Sequence, residues 1–171
     1  QYVKRHPPGT RAHTTLMLLL FTACRIGDAV SLGYRNERDI DGITYLGWQP
    51  KKKGSAYVEI PMVPQLFEAT RSSKVAGMQY LLKRNGEPYK TGDNLGQQLK
   101  KWTEQAGLKR RTAHGVRKSV GTLLAGLGCS QYTIMSVHGH TEAKTSEVYT
   151  KGVERRELAK EAMHQMAQIK L

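Results

Sequence analysis

The stretch from Thr112 to Thr150, TAHGVRKSVGTLLAGLGCSQYTIMSVHGHTEAKTSEVYT, constrains this chain more than any other. His114 and Arg117 stand three residues apart, which on a helix puts an imidazole and a guanidinium on one face. Both can hold an anion. Val116, Val120, Leu123, Leu124 and Leu127 give that helix an apolar face, and Gly128 ends it. A second short helix from Ser130 is expected to bury Tyr132, Ile134, Met135 and Val137 and to stop at Gly139. His140 follows Arg117 by 23 residues, in a Gly-His turn, and Tyr149 follows His140 by nine. A helix, a turn, a second short helix and another turn are expected to fold these four groups toward one point.

Charge narrows the class of partner. The 171 residues hold 27 Lys plus Arg against 14 Asp plus Glu, a formal charge of +13, which points to a polyanion. The longest apolar run, Leu16 to Phe21, is far short of the ~20 residues that span a bilayer, and no basic amphipathic helix or anchor motif favours a membrane surface. Nucleic acid is the better reading. Cys24 and Cys129 alone make no disulfide framework or paired zinc motif, so a reducing cytoplasm is expected. Residues 1 to 15 lack the apolar core of a signal peptide, and a start at Gln1 suggests a piece of a longer protein. One compact domain is expected, because a chain of roughly 150 residues buries about two-thirds of its unfolded surface.

Taken in order, Gln1 to Gly9 is expected to be a linker, since Pro7-Pro8-Gly9 bars helix, and Thr10 is placed to cap RAHTTLMLLLFTAC, a buried helix. Arg25 heads RIGDAVSLGY, whose Ile26, Ala29, Val30 and Leu32 form a short apolar stripe; a salt bridge to Asp28 is the plain account of such an arginine. From Asp41 to Ile60 the period changes to two: ITYLGW and SAYVEIP flank a basic tip at Lys51-Lys52-Lys53-Gly54, a β-hairpin. Pro64 opens a helix to about Arg71, Tyr80 to Leu82 is extended, and Leu95, Leu99 and Trp102 recur at helical spacing before Gly107. Lys109-Arg110-Arg111 then leads into the central stretch, where three cations would attract phosphate without reading sequence. Beyond Tyr149, Gly152 precedes an amphipathic helix with Val153, Leu158, Met163, Met166 and Ile169 available for packing. His6, His13 and His164 are expected at the surface. His138 and His140 form a His-x-His pair, but with Cys129 as the nearest soft neighbour the set matches no familiar zinc spacing.

His-x-x-Arg, then Gly-His, then Tyr nine residues on resembles the motif of the tyrosine recombinases, the phage-integrase family, and three elements agreeing in order and distance make the match specific. The family also carries an arginine in a Thr-Gly-Leu-Arg-Ile-x-Glu-like stretch, to which TACRIGDAVSL is similar, with Arg25 and an acid at Asp28. It places a lysine on a β-hairpin, often in a Lys-x-Gly ending, which selects Lys52 and leaves Lys51 and Lys53 as alternatives. The resemblance covers Thr22 to about Thr150. The chain departs from the family at Lys118, where His is more usual, at His138, where an aliphatic residue is common, and at Cys24 and Gly27.

The resemblance implies a mainly α catalytic domain with a small antiparallel sheet or hairpin, spanning 1–171 without the N-terminal DNA-clamping domain that family members carry. It implies a DNA strand transferase in which Arg25 and Arg117 hold the scissile phosphate and His114 and His140 donate or shuttle protons. Lys52 would protonate the leaving oxygen, Tyr149 would form a 3′-phosphotyrosyl bond, and Asp28 would hold Arg25 by a hydrogen bond. Lys51, Lys53, Lys109, Arg110, Arg111 and Lys118 would contact the DNA backbone. No metal, ATP or other cofactor is implied. Double-stranded DNA, a homo-oligomer (a tetramer on DNA) with a C-terminal helix at 153–171 docking on a neighbour, and a nucleoid-associated location are. A type IB topoisomerase-like enzyme and a non-catalytic DNA-binding regulator are the alternatives.

Overall fold

The computed structural model describes residues 1–73, 77–150 and 155–168. Helix α2, Arg11–Thr22, runs through the middle of the domain. Thr10 caps it by accepting the His13 N–H at 3.2 Å, and its Leu18 and Leu19 are fully buried. Thr14 donates its hydroxyl to the Ala69 carbonyl at 3.0 Å and so ties α2 to α4, Pro64–Arg71, the helix that Pro64 opens. Beside α2 lies α5, Gly92–Gln105, which buries Leu95, Leu99 and Trp102 and ends ahead of Gly107 at φ 71. The first nine residues are no simple linker. Tyr2–Arg5 makes a helical turn, α1, because Tyr2 is buried with its hydroxyl on the Ala12 carbonyl and His6 bonds the Trp102 carbonyl at 2.9 Å. His6 and His13 are therefore interior residues, against expectation, while His164 is exposed.

The expected hairpin is the right half of a larger element. A three-stranded antiparallel sheet has the order β1, Glu37–Ile40, then β2, Ile43–Trp48, then β3, Val58–Pro61. Glu37 pairs with Leu46, and Leu46 with Ile60. β1 was hidden in the sequence because ERDI is polar and three of its four residues are exposed. Leu46, Trp48, Val58 and Ile60 turn into the core, so the long Gln49–Tyr57 loop is carried on a packed base. Ser55 and Ala56 belong to that loop and not to β3. Among the described residues, the expected extended segment at Tyr80–Leu82 forms no named strand; isolated bridges join Gly33 with Gln79 and Leu82 with Pro88.

Four helices close the domain around the site. Arg25 is the N-cap residue of α3, Ile26–Ala29, and α6 is Ala113–Gly126 with Thr112 accepting the Gly115 N–H at 3.0 Å. Next come α7, Gln131–His138, and α8, Ala143–Thr150. α8 packs on both α6 and α7, and α7 packs on β3. Three apolar assignments fail: Leu123 on α6, Leu127 at its C-cap and Tyr132 on α7 are exposed, since α8 covers a different strip of these helices. Helix α9, Arg155–Met166, follows with Met163 and Met166 exposed, so those two do not cover their own domain. Val153 and Ile169, and the side chain of Leu158, lie outside the described residues. Among the described residues no helix is long and apolar enough to cross a membrane.

Candidate active site

Arg117 is the hub. It is buried on α6, and its guanidinium reaches three acceptors: Nη1 donates to the Ala23 carbonyl, and Nη2 donates to the His138 carbonyl at 2.7 Å and to His140 Nε2 at 3.0 Å. Ala23 stands two residues before Arg25, and His138 two before His140. One side chain thus pins both segments that carry the other members of the set. The bend that lets it do so at the first segment is local: Ala23 leaves α2 in the left-handed region at φ 48. Burial, and then the neighbouring Arg25, hold the Arg117 pKa below the usual guanidinium value, yet a guanidinium so placed stays charged.

Because a guanidinium can only donate, His140 Nε2 must accept, and the proton of the neutral ring sits on Nδ1, which then donates to Ser146 Oγ at 2.9 Å. Burial first, then Arg117, Arg25 and Lys52, push the His140 pKa down to about 4. Both ring nitrogens are thereby engaged within the protein, so His140 orients Arg117 and offers no free donor in this arrangement. Ser146 is fully buried on α8, three residues before Tyr149, and the sequence reading missed it. A hydroxyl one turn ahead of the tyrosine, on its own helix, was the available signal.

The Gly-His turn is fixed by glycine at position 139. Its φ is 62, the left-handed cap that ends α7, and an added Cβ would lie 2.8 Å from Val58 Cγ2. Its carbonyl accepts the Ala56 N–H at 3.2 Å, and Thr141 donates to the Gly54 carbonyl at 2.9 Å. This docking brings the lysine loop over His140. Arg25, Lys52, Lys53, Ser55 and His140 line one cleft of about 350 Å3, in which Arg25 donates to Ser55 Oγ at 3.3 Å.

The three loop lysines separate here. Lys51 is tied back, its Nζ on the Gly27 carbonyl at 2.8 Å and its backbone N–H on Asp28 Oδ1 at 2.9 Å, while Lys52 and Lys53 face the cleft. Asp28 is consequently not the partner the sequence suggested. No hydrogen bond or ion pair among the described residues joins it to Arg25; its buried carboxylate anchors the loop at Lys51 instead. His114 is exposed in the first turn of α6 and lines a neighbouring groove of about 820 Å3, together with Ile26, Lys109, Arg110 and Arg111. Lys118 is exposed on α6.

Tyr149 lies in the last turn of α8, not in the turn expected after His140. Its ring packs beside that of His138, centroids 5.3 Å apart at 57°, and it interacts electrostatically with Arg117. Among the described residues no three His, Cys, Asp or Glu side chains are grouped to hold a metal ion. Cys24 and Cys129 are free thiols.

A buried arginine that ties the Arg25 segment to the His138–His140 turn, beside a cleft lined by Arg25, Lys52 and Lys53, has the chemistry to hold an anionic ester, and the Tyr149 phenol lies next to it. Residues 1–156 match the phage integrase family, and the chain belongs to that family. The tyrosine recombinase XerD of Neisseria meningitidis serogroup B is 28% identical over 156 residues, covering 84% of this chain and 51% of the relative. The chain therefore spans about half the length of that relative. Among solved structures, XerA recombinase superimposes with a TM-score of 0.70 at 15% identity, over 99% of this chain and 63% of its own. A lambda integrase dimer bound to a COC′ core site gives 0.67 at 20% identity, over 90% of this chain and 46% of its own. The mainly α fold with a small antiparallel sheet is the fold of these recombinases.

Proposed function

We propose that this chain carries the catalytic machinery of a site-specific DNA recombinase, which breaks and rejoins strands through a 3′-phosphotyrosyl bond. The observation that carries the reading is the hub: Arg117 is bonded two residues before Arg25 and two before His140, beside Tyr149. A phosphodiester under attack gathers negative charge on its non-bridging oxygens, and Arg25 and Arg117 supply fixed donors there. Tyr149 attacks phosphorus, its proton passing to a histidine of the site, His114 being the exposed one, while His140 holds Arg117 in place. Lys52 protonates the departing 5′ oxygen. Lys52 is favoured over Lys51, whose Nζ is engaged by Gly27, and over Lys53, because Lys52 is the one that acts electrostatically on His140. The ester conserves the bond energy, so a second 5′-hydroxyl can attack and rejoin without ATP.

Double-stranded DNA is the substrate in this reading, held on its backbone by Lys53, Lys109, Arg110, Arg111 and Lys118, all exposed; Lys51, also exposed, acts from its anchored position. A homo-oligomer, a tetramer on DNA, follows from the same reading and gives the exposed Met163 and Met166 of α9 a second copy to pack on. The test uses a pool of nicked duplexes of randomised sequence, from which covalent protein–DNA complexes are captured under denaturing conditions. The wild-type chain should be captured and Tyr149→Phe should not, with duplex affinity nearly unchanged. An adduct of normal yield from Tyr149→Phe refutes the assignment.

A further inference from the structure

The Tyr149 ring packs in a slot against two residues. One is Gly121 of α6, buried, where an added Cβ would stand 2.8 Å from each of Tyr149 Cγ, Cδ1 and Cδ2. Equal approach to those three atoms means the ring base lies over the helix backbone, in room that hydrogen alone leaves. Also against the phenol is the His138 ring, its centroid 5.3 Å away and tilted at 57°, and 5.2 Å from the His140 ring. His138 is 1% exposed, and neither ring nitrogen has a hydrogen-bond partner among the described residues. Folded proteins seldom leave buried polar atoms so, and the exceptions ask for an explanation. An aliphatic side chain would fill the space without orphaned nitrogens but would present no ring to set the angle of a neighbouring ring. The backbone at the slot is fixed as well, since the His138 carbonyl is held by Arg117 and Ser146 of α8 by His140.

We propose that Gly121 and His138 are positioning residues that hold the Tyr149 phenol ready beside the Arg117 cluster before DNA arrives. This rests on the reading of Tyr149 as the nucleophile. Holding a reacting group in place removes an ordering step from the reaction, and a displacement of about 1 Å is worth up to roughly a hundredfold in rate. Neither residue is placed to touch DNA, Gly121 and His138 both being buried, so their loss should fall on the covalent step and not on binding.

The full chain and the randomised nicked duplexes serve as the test, with single-turnover adduct formation and duplex Kd measured for each variant. Gly121→Ala and His138→Ala should each slow adduct formation by about tenfold or more with Kd within about twofold, whereas His138→Phe, which keeps a ring, should stay within about threefold of wild type. A DNA-free measurement runs beside it: in 3-fluorotyrosine-labelled chain, the 19F resonance assigned through Tyr149→Phe should move in Gly121→Ala and His138→Ala. Wild-type rates, or faster ones, in both alanine variants overturn the slot while leaving Tyr149 as nucleophile. An unmoved resonance also overturns it. No adduct from the wild-type chain removes the nucleophile, and the slot's role falls with it.

Discussion

His138→Leu should make the protein less sensitive to acid. Burial first, then Arg117, His140 and Arg25, push the His138 pKa from 6.5 to about 3. A group whose folded pKa lies below its unfolded value binds fewer protons in the fold, so stability falls as pH drops below 6.5 and goes on falling toward the folded value. Between pH 7 and pH 5 the unfolded histidine becomes almost fully protonated while the buried one stays neutral, which by linkage removes about 2 kcal/mol. For a chain of this size about 1 kcal/mol moves Tm by roughly 2–4 °C, so the wild type should lose about 4–8 °C more than His138→Leu over that interval. Scanning calorimetry at the two pH values for both proteins isolates the difference, since groups common to both cancel. At pH 7 the variant should be no less stable than wild type, because leucine removes two nitrogens that lack partners among the described residues. Equal Tm losses in the two proteins would refute the burial of a neutral imidazole at this position.

Arg117→Lys should abolish adduct formation and also lower stability by about 1–3 kcal/mol, since one ammonium cannot serve the Ala23 and His138 carbonyls and His140 Nε2 together; urea unfolding reads the second effect, and unchanged stability removes the hub. Gly139→Ala combines a left-handed φ of 62 with a Cβ 2.8 Å from Val58, and should cost about 2–4 kcal/mol in the same assay, with a wild-type midpoint counting against the docked turn. Lys52→Ala should slow cleavage of an ordinary duplex far more than that of one whose 5′ leaving oxygen is replaced by sulfur, which needs no proton donor; Lys51→Ala should show no such difference. The reverse pattern would move the acid to Lys51.

Much of the fold could be read from apolar spacing and end signals. Thr10, Pro64, Gly107, Gly128 and Gly139 mark helix boundaries through local backbone chemistry that needs no distant partner. What misled was burial. His6, His13 and Tyr2 sit in polar surroundings in the sequence yet are covered in space, and Leu123, Leu127 and Tyr132 sit at apolar spacing yet face outward. A helical period says which residues share a face; which face is covered depends on where α8 lands. Likewise β1 carries no alternation to detect, because its side chains are mostly in solvent and its pairing to β2 is made by backbone.

The candidate site divides in the same way. Order and spacing marked His114, Arg117, His140 and Tyr149, and the resemblance to the phage-integrase motif added Arg25 and Lys52, since chemistry on an anionic ester restricts which side chains can serve. Only the tertiary structure decided what each of them touches. Asp28 went to the Lys51 backbone and not to Arg25, Ser146 appeared behind His140, and Gly121 and His138 each packed against Tyr149. Most of those contacts join residues from different helices and loops, and they are chosen by how those elements pack against one another, a choice that no local pattern of residues encodes.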